Sequence, residues 1–316
     1  MHVWRQLDDV PGDLGRSVVT IGNFDGMHLG HQHVVQRARE VADDAGVDTV
    51  VAVTFDPHPI AVLRPEHAPP TLTTIDERLR LLADAGVDAV LVIPFSRDIA
   101  AWTPLEFIDR ILVERLHAKA VVVGANFRFG NRAAGDVHTL GQAGAAHDFT
   151  VDAVDLDGGP QVWSSTYIRT CLAAGDVTGA AEALGRPFVT RGEVMQGDQR
   201  GRDLGYPTAN VPVAAGSAAP ADGVYAGWLT PRGPDGAPGE RMPAAISVGT
   251  NPTFDGERDR RVEAYVLDRT DLALYGVEVE VEFVERIRGM VRFDGIDDLL
   301  VAIADDVERT REILGS

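Results

Sequence analysis

From residue 17 to residue 186 the chain alternates short Val-, Ile- and Ala-rich runs with amphipathic stretches, and at Gly185-Arg186-Pro187 the alternation stops. Runs that are apolar on both faces and joined by helices are buried in a parallel sheet covered on both sides. The spacing predicts strands over 17–24, 49–55, 89–94 and 120–124. Helices are predicted over 31–45, ending at Gly46, over 74–85, closed by Gly86, and over 104–116, opened by Pro104. Ligands of such sheets sit at the carboxyl ends of the strands. Beyond Pro187 come short β-like runs at 192–195, 223–229, 244–249, 261–267 and 277–285, parted by Gly/Pro-rich stretches such as 231–239. Strands at that spacing predict a barrel or sandwich, and one amphipathic helix over 296–314 ends the chain. There is no internal repeat, so two different modules are expected, over 1–186 and 187–316.

Charge excludes several functions. The 48 acidic and 29 basic residues give a formal net charge of -19. Residues 1–186 hold 25 acids and 15 bases (-10), and residues 187–316 hold 23 and 14 (-9), so the excess is no acidic tail. Such a field repels nucleic acid and anionic lipid, and neither is an expected partner. Lys119 is the single lysine, and Ala118-Lys119-Ala120 is not a Walker A loop, so any nucleotide is held without the P-loop lysine. Cys171 is the single cysteine, which leaves no internal disulfide and no cysteine zinc cluster. The polar Met1–Asp9 start does not read as a signal peptide, and no apolar run approaches the ~20 residues of a membrane span, so a cytoplasmic protein is expected. A monomer or transient homo-oligomer is expected.

The segment Gly22-Asn23-Phe24-Asp25-Gly26-Met27-His28-Leu29-Gly30-His31 falls where the first strand ends and the first helix begins. Glycines let backbone approach a phosphate, and a helix N-terminus supplies unpaired N–H groups. Two imidazoles three residues apart can donate to one phosphoryl group as charge builds on it. A metal site at His28, His31 and His33 would need a carboxylate or cysteine ligand at compatible spacing, which is lacking. Ordinary surface histidines of a turn are the other reading.

These residues resemble a known family. His-x-Gly-His after a first strand is the motif of HIGH-type nucleotidyltransferases. Class I aminoacyl-tRNA synthetases share it but also need a lysine-bearing second motif, which this chain lacks. The longer segment resembles the adenylyltransferase module of bacterial bifunctional riboflavin kinase/FAD synthetases. Three further segments agree: Thr54-Phe55-Asp56-Pro57-His58-Pro59, Val123-Gly124-Ala125-Asn126-Phe127-Arg128-Phe129-Gly130 and Ser164-Ser165-Thr166-Tyr167-Ile168-Arg169. The resemblance implies a Rossmann-like parallel-sheet domain that joins ATP and FMN. It places His28, His31 and Arg169 at the chemistry, and Gly22, Asn23, Phe24, Asp25, Gly26, Ser165 and Thr166 around ATP. Asn126, Phe127, Arg128 and Phe129 then face the flavin, Asn126 standing where many relatives carry Asp. Read as residues alone, Ser165 and Thr166 precede an amphipathic helix, where hydroxyls cap the N-terminus or hold phosphate.

In the second module, Gly201-Arg202-Asp203-Leu204-Gly205-Tyr206-Pro207-Thr208-Ala209-Asn210 is polar and glycine-rich, and reads equally as a plain β-loop. The Thr208 hydroxyl and the Asn210 amide are hard oxygen donors that suit Mg²⁺ beside phosphate oxygens. Pro-Thr-Ala-Asn resembles the riboflavin kinase motif, and 223–226, 248–254 and 262–268 resemble further segments in the same order. The resemblance implies an antiparallel β-barrel with a terminal helix, with Glu263 as base and Gly201, Arg202, Gly205 and Pro207 at ATP. Arg288 and Met290 then lie near the flavin, Met290 standing where many relatives carry Glu. The expected substrates are ATP, riboflavin and FMN, with Mg²⁺ as cofactor. Two other functions fit the residues: an adenylyltransferase for a different phosphorylated substrate with a C-terminal binding module, and a non-catalytic flavin-binding regulator.

Overall fold

Strands that are apolar at every position need partners on both faces, and the N-terminal strands find them. The computed structural model describes residues 1–155, 163–196, 205–250, 260–293 and 295–316. It divides into two compact units, Met1–Ser165 and Thr166–Ser316. The first unit contains β1 (His2–Trp4), β2 (Ser17–Ile21), α1 (Leu29–Ala45), β3 (Thr49–Asp56), α2 (Pro59–Leu63), α3 (Ile75–Asp84), β4 (Ala89–Pro94), α4 (Arg97–Ala100), α5 (Pro104–Phe107), β5 (Ala118–Gly124), α6 (Val137–His147) and β6 (Thr150–Val154). Its strands form one parallel sheet in the order β1-β4-β3-β2-β5-β6. Val19, Val51, Leu91 and Val121 pack on one face with Ile108, Ile111, Leu112, Leu116 and Leu140. Their neighbours Val18, Val50, Val90 and Val122 face the other side, where Val34, Val35, Ala38 and Ala42 of α1 and Leu79 and Leu82 of α3 bury them. Chain direction through the sheet reverses beside β2, with β3 and β4 on one side and β5 and β6 on the other. Open sheets bind ligands at such a switch point, outside the carboxyl ends of the strands.

In the second unit α7 (Ser165–Ala174), which starts at the last residue of the first unit, and α8 (Val177–Leu184) precede a sheet. The sheet consists of β7 (Phe188–Glu193), β8 (Ala209–Pro212), β9 (Gly223–Pro231), β10 (Met242–Thr250), β11 (Arg260–Val266) and β12 (Glu278–Gly289), and α9 (Ile296–Leu314) follows. The pairing is antiparallel in the order β7-β12-β9-β10-β11-β8. Met195, just beyond β7, bridges Asn210 of β8, so the two edges meet and the sheet nearly closes into a barrel. Tyr225, Ile246, Val248, Val262, Val281 and Phe283 fill its interior. Helix α9 lies against β9, β10 and β12. A bidentate pair joins it to the barrel, from Arg288 Nε to Asp306 Oδ1 (2.8 Å) and from Nη2 to Oδ2 (2.7 Å).

Gly227 makes the closest approach in the barrel. A methyl group there would run into the Glu282 carbonyl oxygen and the Ile246 side chain. Gly227→Ala should therefore cost ~1–3 kcal/mol by overpacking, read as a lower denaturant midpoint. At Gly12 a methyl meets nothing within 4 Å. Gly12→Ala should stay within about 0.5 kcal/mol of the parent.

The structure corrects several expectations. The first strand ends at Ile21, not at residue 24, because Phe24 turns left-handed with φ 49°. The helix expected over 104–116 is α at Pro104–Phe107 and widens to π geometry over Ile108–Val113. The wider turn keeps Ile108, Ile111 and Leu112 all buried. The strand expected at 192–195 is Phe188–Glu193, and the loop expected through residue 210 becomes β8 at Ala209. Helix α6 carries Gly141 and Gly144, which weaken its helical signal, yet Gly144 is needed where Phe149 O closes on it.

Candidate functional site

The carboxyl end of β2 leads into a tight coil. Gly22 N donates to Val53 O (3.1 Å), and then Phe24 (φ 49°), Gly26 (φ 85°) and Met27 (φ 43°) are left-handed within four residues. Left-handed backbone costs a non-glycine residue ~1–2 kcal/mol. The Phe24 and Met27 side chains are each only 1% exposed, and their burial in the α3 side of the core offsets that cost.

The coil delivers His28 to the N-cap of α1, where its Nδ1 accepts from His31 N (3.3 Å). Because Nδ1 is the acceptor, the proton of the neutral ring rides on Nε2, which becomes a donor. The His28 and His31 rings stack, with centroids 3.6 Å apart, and Phe24 meets His31 edge-on at 5.2 Å. His31 Nδ1 is buried and has no hydrogen-bond partner among the described residues. Burial pushes His28 down to about 4, against a smaller upward pull from Asp25. Burial, with the neighbouring His28 and Arg78 charges, holds His31 well below the ordinary imidazole value. Both rings are therefore neutral near pH 7 and act as hydrogen-bond donors without charge.

The depressed His28 value has a consequence for stability. An unfolded histidine protonates near 6.5, and this one only near 4. As pH falls through that window the unfolded chain takes up a proton that the folded chain refuses. Stability is thus full above the window and declines toward its lower end, by at most about 3 kcal/mol. Denaturant unfolding across the window should show this slope, and His28→Asn should make it shallower while the slope due to His31 remains.

Beneath the coil lies a buried polar network. Asp25 is 1% exposed, and its carboxylate accepts from Leu72 N (3.0 Å), Thr73 N (3.0 Å) and the Thr73 hydroxyl (3.2 Å). Asp25, expected at ATP, thus ties the coil to residues 72–73. Gly26 N donates to Thr73 Oγ1 (3.1 Å). Thr54 Oγ1 donates to Asn23 O (3.1 Å) and accepts from Arg78 Nη1 (3.3 Å), which also reaches Phe55 O (3.2 Å). Arg78 is 4% exposed, with Nη2 4.0 Å from Asp25 Oδ1. Asn23 Nδ2 lies 3.2 Å from His58 Nε2. Sequence reasoning named neither Thr73 nor Arg78 as a site residue. The available signal was an arginine on the same helical stripe as Ile75, Leu79 and Leu82.

Ser165 is the first residue of α7 and not the residue before it, and its hydroxyl donates to Asp25 O (2.8 Å). Thr166 is exposed and Arg169 half-buried on the same helix. After β5, Asn126 and Arg128 are exposed, and Arg128 pairs with Asp136 (3.1 Å). Phe129 is 7% exposed in the core, where it meets Phe107, and half-buried Phe127 stacks on it at 5.4 Å.

In the second unit the register sets Glu263 of β11 directly opposite Asn210 of β8 and, on its other side, Ser247 of β10. Directly opposed side chains have Cβ atoms ~5 Å apart on one face. This face is the outer one, because Val262 and Ala264 point into the barrel. Asn210 Nδ2 donates to Thr208 O (3.3 Å), which leaves Oδ1 as the amide's acceptor. Tyr206 meets Tyr265 edge-on at 5.2 Å and braces the segment carrying Pro207 and Thr208. Gly205 has φ 88°, which a side chain would strain. Val224 follows Ser247 in the same transverse row, and Arg288 follows Val224. Met290 is exposed, and its Cε lies 3.7 Å from where a Gly249 Cβ would be. Gly201, Arg202 and 251–254 lie outside the described residues. Among the described residues no cluster of three His, Cys, Asp or Glu is placed to hold a metal. The oxygen donors of Thr208 and Asn210 fit Mg²⁺ shared with phosphate oxygens.

The comparisons agree with this division. A family model described as FAD synthetase matches residues 11–166, and one described as riboflavin kinase matches residues 184–314. The bifunctional riboflavin kinase/FMN adenylyltransferase of Escherichia coli (strain K12) is 38% identical over 300 residues, spanning 94% of this chain and 93% of its own. Its Pseudomonas fluorescens namesake is 36% identical over 316 residues, spanning 99% and 98%. A solved Streptococcus pneumoniae structure, described as a macrolide-efflux protein, is 32% identical with a TM-score of 0.86 over 98% of each chain. Among the described residues of the present chain, no helix is long and apolar enough to cross a membrane. With both family models in order along one chain and relatives matched over nearly their full length, the chain belongs to the bifunctional riboflavin kinase/FMN adenylyltransferase family.

Proposed function

We propose that the chain makes FMN from riboflavin in residues 187–316 and FAD from FMN in residues 1–186, in the cytoplasm. The boundary falls at Gly185-Arg186-Pro187, where the α/β alternation of the sequence stops. Two sites of different chemistry on one chain carry the reading: a neutral imidazole pair at a switch point, and a carboxylate opposite an amide on a barrel face.

In adenylyl transfer an FMN phosphate oxygen attacks the α-phosphorus of ATP, and the bond to pyrophosphate breaks. The nucleophile is already anionic, so no general base is required. His28 Nε2–H and His31 donate to the phosphoryl oxygens, and Arg169 offers a charged fork. In phosphorylation the riboflavin 5′-hydroxyl attacks the γ-phosphorus, its proton passes to Glu263, and ADP leaves. Thr208 and Asn210 would hold Mg²⁺, which when bound supplies charge neutralisation at the phosphates. The test is incubation with riboflavin, ATP and Mg²⁺ followed by separation of flavins. FMN appearing first and FAD second is expected. FMN without FAD, or neither, would refute the reading.

A further inference from the structure

We infer that Arg78 and Thr73 form a buried brace that positions the Asn23–His28 coil for adenylyl transfer, an inference that rests on assigning that reaction to this coil. The brace has two arms. One runs from the Arg78 guanidinium through the Thr54 hydroxyl to the Asn23 carbonyl. The other runs from the Asp25 carboxylate through the Thr73 hydroxyl to the Gly26 amide. The arms meet where Arg78 Nη2 approaches Asp25. Together they grip the coil on both sides of left-handed Phe24, one residue before left-handed Met27 and the His28 cap.

Stability alone does not explain this arrangement. A buried guanidinium near a carboxylate is weak evidence for stability, since well-packed apolar residues of similar volume often serve as well or better. Arg78 even keeps its Nε buried without a hydrogen-bond partner among the described residues. What an apolar side chain at 78 would not supply is a donor to Thr54 and Phe55 at the end of β3, against which the coil is set. Both are positioning residues, because each acts on the coil through protein atoms.

The test uses Arg78→Met, Arg78→Lys and Thr73→Val in the full chain, with separate kinetics for FMN→FAD and riboflavin→FMN. Small displacements of reacting groups cost on the order of 10²-fold in rate. Arg78→Met and Thr73→Val should lose about that much kcat/KM in FAD synthesis, with a raised KM for ATP as well as a lower kcat. Arg78→Lys should recover part of the loss, and phosphorylation of riboflavin should be unchanged in all three. Normal FAD synthesis in Arg78→Met and Thr73→Val would overturn the brace alone. So would a loss that merely follows the unfolded fraction by circular dichroism with KM for ATP unaltered. If Arg78→Met does not fold, Thr73→Val decides, since it removes one hydroxyl and no charge. Absence of FAD synthesis in the unaltered protein would overturn the functional reading, and the brace with it.

Discussion

Replacing His28 with alanine is expected to stop FAD formation and leave riboflavin phosphorylation running. The side chain does two separable things. Its Nδ1 caps α1, and loss of an N-cap costs ~1 kcal/mol, which a folded unit tolerates. Its Nε2–H is the donor offered to the phosphoryl group, and removing one such donor costs on the order of 10²–10³-fold in kcat. His28→Asn separates the two effects, because asparagine caps well and carries no ring. It should hold the melting temperature near the parent value while FAD synthesis stays lost. Supplying FMN directly, with ATP and Mg²⁺, reads adenylyl transfer, and supplying riboflavin reads phosphorylation. If both reactions stopped in folded His28→Ala, or neither did, the imidazole pair would not be the adenylyl-transfer site.

The opposite result is expected at Glu263. Glutamine keeps the size and the cross-strand place opposite Asn210 but cannot take the hydroxyl proton. Loss of a general base costs roughly 10²–10⁴-fold. Riboflavin should then remain unphosphorylated in Glu263→Gln while added FMN still becomes FAD. Barrel integrity is read independently from far-UV circular dichroism. Wild-type FMN formation in this variant would remove Glu263 from the chemistry and leave it a half-buried glutamate on a strand.

Much of the parallel sheet was legible because its signal is local. Strands such as Ala89–Pro94 are apolar throughout and bounded by turn residues, and the terminal helix Ile296–Leu314 matched its expected limits. The three residues of β1 were too few to show any period, and β8 hid inside a segment whose polarity suggested a loop. His28 and His31 could be singled out from their spacing and their place after a strand. Their ring stacking and the tautomer of His28 needed coordinates, because these depend on three left-handed residues. Arg78 was harder still. Its partners come from β3 and from the coil after β2, and nothing near residue 78 announces them.

The meeting of β7 and β8 has a consequence for how the chain acquires its activities. Asn210 faces Glu263 across 53 residues of sequence, and the bridge to Met195 seals the same strand. Contacts of long sequence separation are slow to form, because loop closure must precede any gain from them. The coil that carries the imidazole pair depends on separations of the same order or longer, since Gly26 meets Thr73 across 47 residues and Asp25 meets Ser165 across 140. A refolding chain should therefore regain neither activity until these distant contacts close, and both should lag the first helical signal in far-UV circular dichroism. Helix content would then return first and chemistry last, at both ends of the chain.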